Sequence, residues 1–231
     1  MADLLHLPSW LLFLTLAVYA LATIVRIRTG YIWCNPVLFS TVVLIVYLKS
    51  FSISYDVYHQ AAQFIDFWLK PAVVVLAVPL YQNRRRILNQ WLPILASQLA
   101  GSLTGIVTGV YFAKWLGAES QVALSLASKS VTNPIAIEIT RSIGGIPAIT
   151  AATVIIAGLV GQLGGYKMLK AGTVFSPSSL GMSLGTASHA MGIAVSLERS
   201  RRMAAYAGLG LTLNGVLTAC LVPLVIPWLN V

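Results

Sequence analysis

Ser125-Leu-Ala-Ser-Lys-Ser-Val-Thr-Asn-Pro-Ile-Ala-Ile-Glu138 is the stretch whose reading decides the fold of this chain. Hydroxyls at Ser128, Ser130 and Thr132 surround Lys129, and Asn133-Pro134 follows at once. In a water-soluble protein such a run is an ordinary loop. Between apolar segments it means unwound backbone and a cation at membrane depth, tolerated only where they line a cavity. Pro134 fits a helix start, with Thr132 or Asn133 as the cap and the proline at the first position. The N–H groups of residues 135–137 would then turn the positive end of a helix dipole toward residues 130–133. Together with Lys129 this favours a small carboxylate, hydrogen-bonded by Ser130, Thr132 and Asn133. The competing reading is a surface lysine that snorkels to a lipid headgroup.

A second polar stretch, Gly185-Thr-Ala-Ser-His-Ala-Met-Gly192, follows about fifty residues later. It brings Thr186, Ser188 and His189. Histidine changes charge near neutral pH, so His189 is the candidate to bind substrate or carry a coupling proton. The alternative is a neutral ring bonded to a backbone carbonyl among packed glycines. Two interrupted segments in one small membrane protein point to a substrate site between them.

Working outward, charged residues are 9% of the 231 and apolar ones 58%, with a mean hydropathy of +0.83. A soluble domain carries about 25% charged residues, and several apolar runs approach the roughly 20 residues needed to cross a bilayer. These numbers imply an all-α integral membrane protein. One polytopic domain, 1–231, is expected, with halves near 1–117 and 118–231. Six to eight membrane segments, with broken or re-entrant helices arranged as inverted repeats, fill it. The excess of fifteen Lys+Arg over six Asp+Glu excludes little by itself. It falls in short clusters between apolar runs, Arg26/Arg28, Arg84–Arg86 and Arg199/Arg201/Arg202, as the positive-inside rule requires of cytoplasmic loops. Those clusters put both termini outside and attract anionic lipid; no nucleic-acid partner is implied.

Cys34 and Cys220 are far apart and read as small apolar fillers, so neither disulfide, metal nor other cofactor is expected. No GxSxG elbow or HExxH motif is present, and the adjacency of Ser188 and His189 does not make an enzyme. The first apolar run, Ser9 to Val25, lacks a basic n-region and reads as a retained helix.

Along the chain, Asn35-Pro36 opens a short run from Val37 to Leu48, and Lys49–Gln60 reads as a polar loop. Residues 61–81 carry Pro71 and Pro79, each of which removes a helix donor and kinks or breaks the segment. Trp91 to Trp115 reads as a helix with Gly101, Gly105 and Gly109 at four-residue spacing, a helix-packing stripe. Ile143-Gly-Gly-Ile-Pro147 is a turn. Ala148–Tyr166 and Met203–Trp228 are further helices, the first bearing Gly158, Gly161, Gly164 and Gly165. Glu138 and Arg141 are spaced to pair on a helix.

The ordered set Asn35-Pro36, Ile53-Ser-Tyr-Asp56, Pro71–Tyr81, Lys129-Ser-Val-Thr-Asn-Pro-Ile-Ala136, Ile143–Pro147 and Gly185–Gly192 resembles the CidB/LrgB family over nearly the whole chain. That resemblance implies a multi-pass protein of the bacterial inner (plasma) membrane, described for the family as holin- or antiholin-like and as modulating murein hydrolases and autolysis. It also implies, through a plastid glycolate/glycerate translocator and pyruvate-linked members, a carrier for small 2-oxo or 2-hydroxy monocarboxylates. A homo-oligomer is expected, and a small LrgA/CidA-like membrane partner is implied by the resemblance alone. Ser128 and Asn133 stand where the family usually has proline and threonine. Ser179-Leu180-Gly181 and Ile193-Ala194-Val195 stand where it commonly has arginine-bearing motifs. Lys129 is therefore left to carry more of the electrostatic work.

Overall fold

The computed structural model describes residues 7–30, 35–75, 77–82 and 84–229, and among them every regular element is helical. Packing divides the chain into two compact units, Met1–Ala72 and Val73–Val231. The helix that ends at Trp115 packs with helices later in the chain. The chain is an all-α integral membrane protein. Among the described residues, five helices are long and apolar enough to cross a bilayer: Pro8–Thr29, Trp91–Trp115, Pro147–Ala171, Pro177–Arg199 and Arg201–Leu229.

In the first unit, α1 (Pro8–Thr29) runs through Arg26 and Arg28 instead of stopping before them. Arginine is a good helix former, and the stop comes at Gly30, whose φ of 67 is the left-handed cap glycine adopts freely. α2 (Pro36–Ser50) begins where Asn35 predicts it. The Asn35 Oδ1 accepts from the N–H of Val37 at 2.8 Å and Pro36 occupies the first turn. The expected loop 49–60 is mostly helix. α3 (Tyr55–Val75) starts at Tyr55 with Asp56 in its first turn, where a carboxylate suits the dipole. Leu11, Ile53 and Ala61 close this unit's core. Pro71 lies inside α3, which continues through it to Val75. Residue 76 lies outside the described residues, and Pro79 lies within α4 (Ala77–Gln82).

The second unit holds α4, α5 (Arg84–Asn89), α6 (Trp91–Trp115), α7 (Ser120–Ser125), α8 (Asn133–Ser142), α9 (Pro147–Ala171), α10 (Pro177–Arg199) and α11 (Arg201–Leu229). Both polar stretches turn back on themselves. In the first, the Ser128 hydroxyl reaches the Ala136 carbonyl at 3.2 Å and the Thr140 hydroxyl at 3.1 Å, partners eight and twelve residues ahead. Twelve residues of straight helix would hold such groups about 18 Å apart. Ser125 accepts from the N–H of Ile146 at 2.7 Å, so the arms lie side by side down to their base. In the second, His189 has φ 43 and ψ −129 inside α10. Beyond that bend, Gly192 lies directly against the Leu184 carbonyl and the Gly185 nitrogen. Leu180, Leu184 and Val195 then share one apolar cluster with Met203. Although α10 is long enough to cross, it folds as a hairpin, 177–188 and 190–199. The ten residues of α8 span about 15 Å, half the roughly 30 Å hydrocarbon layer.

One crossing helix, α9, separates the two hairpins, so they enter from opposite faces. This order puts Arg84–Arg86, Lys167, Lys170, Arg199, Arg201 and Arg202 on one face, and leaves Lys114 and Arg141 opposite. The arginine-rich face satisfies the positive-inside rule as the cytoplasmic one. Glu138 and Arg141 pair at 2.9 Å on the other face, exposed on both sides of the bond.

The hairpin bends depend on glycine. A Cβ at Gly192 would overlap the Leu184 carbonyl, and one at Gly185 the Ala207 carbonyl. Both obstacles are backbone and cannot rotate away. Gly192→Ala is expected to lower thermal stability in lipid nanodiscs by about 1–3 kcal/mol, the usual range for overpacking. An unchanged melting temperature would refute the close approach.

Candidate functional site

Two cavities adjoin in the second unit, of about 550 and 660 Å³. Lys129, Thr108, Ala157, Ser183 and Ala187 line both. The smaller is the more polar, with Gln98, Thr104, Ser130 and Thr186 in its wall. The larger is apolar, walled by Phe112, Leu126, Ile156, Val160 and Leu169 among others. Both fall within the size range of small-molecule sites.

Lys129 stands at their junction because α6 presents no side chain there. Its Nζ donates to the Gly105 carbonyl at 2.7 Å, and a Cβ on Gly109 would lie 2.8 Å from that same nitrogen. The lysine is half-buried and turned into the protein, so the snorkelling alternative does not hold. Among the described residues it makes no ion pair with a carboxylate. A half-buried ammonium with one carbonyl partner keeps two N–H donors for something else.

The glycine stripe of α6, predicted as a packing face, packs against both polar stretches. Gly101 lies against Thr186, Gly105 against Ser130, and Gly109 against Lys129 and the Leu126 carbonyl. α9 does the same from the other side. Gly158 faces the His189 ring, Gly161 faces Ser188 and Gly165 faces Leu184, with the helix widened to a π turn over Gly161–Gly165.

The expected site residues divide accordingly. Ser130 and Thr186 join Lys129 in the polar cavity, and Ser188 joins it in the apolar one. Thr186 is fixed by Gln98, whose Nε2 donates to its hydroxyl at 2.9 Å, and by the Met182 carbonyl, which the hydroxyl reaches at 2.8 Å. His189 lines neither cavity. Its Nε2 lies 2.9 Å from the Val154 carbonyl, a partner that assigns the ring proton to that nitrogen. The ring thus ties the bend of α10 to α9. Ser188 faces Gly161 while His189 turns to Val154, so these neighbours point to different partners.

Thr132 and Asn133 also stand apart from the cavities. Thr132 is the N-cap of α8, Asn133 its first residue and Pro134 its second. The expected capping bond is missing: neither side chain caps, and Thr132 Oγ1 and Asn133 Oδ1 are buried without a hydrogen-bond partner. The three N–H groups expected to face residues 130–133 are not all open, since Ala136 already donates to the Thr132 carbonyl at 2.9 Å.

The residue that joins the two stretches is one the motifs did not mark. Asn214, 1% exposed in the middle of α11, donates from Nδ2 to the Ser130 carbonyl at 3.1 Å and to the Thr186 carbonyl at 3.0 Å. Its Oδ1 accepts from Ser102 at 2.6 Å and from Thr218 at 3.3 Å. One amide side chain therefore binds a backbone carbonyl near the tip of each hairpin. The available signal was an amide in an apolar helix, which a membrane core rarely keeps without a use. Gln98 and Ser102 carry the same signal, one turn apart on α6.

Comparison with known proteins agrees with this architecture of a multi-pass membrane protein. The LrgB-like family matches residues 15–228. The chain is 32% identical over 224 residues to the Antiholin-like protein LrgB of Bacillus mycoides (strain KBAB4), covering 96% of this chain and 97% of the relative. The proteins of the same name from Bacillus cereus (strain B4264) and Bacillus anthracis (strain CDC 684 / NRRL 3495) match at the same identity and coverage. No solved structure matches. The family match over nearly the whole chain and the near full-length relatives establish that this protein belongs to the LrgB-like family.

Proposed function

We propose that this protein is a secondary carrier of small monocarboxylates of the glycolate, glycerate and pyruvate type, in the bacterial inner membrane. The observation that supports it is Lys129, a half-buried cation without a carboxylate partner among the described residues, between two cavities where oppositely oriented hairpins meet. A carboxylate entering the polar cavity takes the free donors of Lys129 and hydrogen bonds from Ser130 and from the second N–H of Gln98, whose first holds Thr186 in place. Thr132 and Asn133 begin the second arm of the first hairpin, Ser188 bounds the neighbouring cavity and His189 holds the second bend. Hairpins entering from opposite faces give each side of the membrane its own gate, as alternating access requires. The carrier works as a homo-oligomer, with a small LrgA/CidA-like membrane protein as its partner.

The relatives' name, antiholin-like, favours a second reading, a protein that modulates murein hydrolase export and autolysis by permeabilising or regulating the membrane. Liposomes separate the two. The carrier reading expects saturable glycolate uptake, competed by glycerate and pyruvate and absent for unrelated solutes. Unselective leakage of a neutral dye of similar size would favour the second reading.

Coupling is a separate matter. With His189 bonded to Val154 away from both cavities, His189→Gln, which can keep a donor to that carbonyl, is expected to leave the response of uptake to an imposed pH gradient intact. Loss of that response at unchanged uptake without a gradient would assign the proton to His189 after all.

A further inference from the structure

The apolar cavity has no role in binding a two- or three-carbon hydroxy acid. Such a ligand satisfies Lys129 from the polar cavity and leaves about 660 Å³ beside it lined by Phe112, Leu126, Ile156, Val160 and Leu169. The space is a groove and not a closed cavity: Phe112, Ile156 and Val160 are more than half exposed, so in a bilayer its open side faces lipid tails. Yet the cavity shares its cation with its polar neighbour. A cation at one end and hydrocarbon along the walls describe the complement of an amphiphile.

We infer that the site takes monocarboxylates bearing an alkyl tail, the carboxylate on Lys129 and the tail in the apolar cavity. This deepens the carrier reading and rests on it for the direction of transport, though binding can be measured without transport. The hydroxyls of Thr108 and Ser183, which line both cavities, lie at the junction beside the headgroup. Charge complementarity selects this occupant over a neutral lipid tail, which would leave Lys129 unanswered. Ser188, which lines the apolar cavity and not the polar one, then bounds the tail and not the carboxylate.

The test is competition against labelled glycolate by acetate, butyrate, hexanoate and octanoate, on protein in lipid nanodiscs, with hexanol as the uncharged control. Affinity is expected to rise about fourfold per added methylene until the cavity is full, the increment for burying one CH₂, while hexanol competes poorly. Val160→Trp, which adds bulk to the apolar wall alone, is expected to flatten the series tenfold or more at hexanoate and to leave glycolate binding unchanged. That unchanged binding also certifies that the variant is folded. A flat series in the wild type, or a rising series that Val160→Trp does not alter, overturns the inference; the latter is what bilayer partitioning or a resident lipid tail produces. Glycolate uptake in liposomes is measured in parallel. Uptake with a flat series refutes only the tail site, chain-length-dependent binding without uptake supports the tail site and refutes the carrier, and neither binding nor uptake refutes both.

Discussion

Lys129→Ala is expected to abolish saturable glycolate uptake in liposomes while the protein still folds and inserts. The charge removed is the one the site supplies among the described residues, and it sits where desolvation makes it count. At 4 Å an ion pair is worth about 1 kcal/mol in water but about 4 kcal/mol at an effective dielectric of 20. On that scale a loss of roughly three orders of magnitude in affinity is expected. The fold should survive because the main bond lost is the one to the Gly105 carbonyl, and removing a half-buried charge relieves its desolvation as well. Lys129→Arg is the sharper variant. Gly105 and Gly109 leave room for a slim ammonium against α6, with only 2.8 Å between Nζ and a Cβ at Gly109. A planar guanidinium needs more space, so charge alone should restore only part of the uptake. Uptake by Lys129→Ala at wild-type affinity would remove Lys129 from the site.

Asn214→Leu is the second large effect, and it acts on the frame of the site. Leucine leaves the Ser130 and Thr186 carbonyls without their shared donor, and Ser102 and Thr218 without their acceptor. In water-soluble proteins each such loss costs about 1–3 kcal/mol. Inside membranes measured values average about 0.6 kcal/mol, because an unfolded but inserted chain finds substitute partners. Four contacts then sum to about 2–3 kcal/mol by the membrane scale, the one that applies here. The expected result is a moderate fall in melting temperature with a disproportionate loss of uptake, since both hairpin tips lose their common anchor. Asn214→Asp separates the causes: it keeps the acceptor for Ser102 and loses both donors, so it should cripple uptake as severely as leucine. Wild-type uptake by Asn214→Asp would show that the shared amide does not set the geometry of transport.

What could be read from the chain alone was local. Asn35 announces the start of α2 because an Asn-Pro pair supplies both a side-chain cap and a preset φ. The bounds of α6, the turn at Ile143–Pro147 and the break near Lys129 follow from glycine, proline and hydroxyl residues whose backbone preferences act within a few positions. The Glu138–Arg141 pair follows from helical spacing. Other features were set by distant partners. Nothing in residues 185–192 marks His189, a non-glycine at φ 43, as the point where α10 reverses; the bend is held by Val154, thirty-five residues away. The Asn214 bonds to Ser130 and Thr186 bridge separations of 84 and 28 residues. Thr132 and Asn133 mislead for a related reason. Their types suit a helix cap, yet tertiary packing buries their oxygens without a partner.

The glycines of α6 have a mechanical consequence. Where helices interlock through large side chains, one cannot pass another without each knob leaving its hole, and motion proceeds by jumps. Along Gly101, Gly105 and Gly109 the contact is nearly smooth backbone, met by Thr186, Ser130 and Lys129. Such a surface behaves as a bearing. In the proposed carrier the hairpins would travel along it once the Gln98–Thr186 bonds give way, and the ammonium on the Gly105 carbonyl would change carbonyls as a sliding contact changes rails.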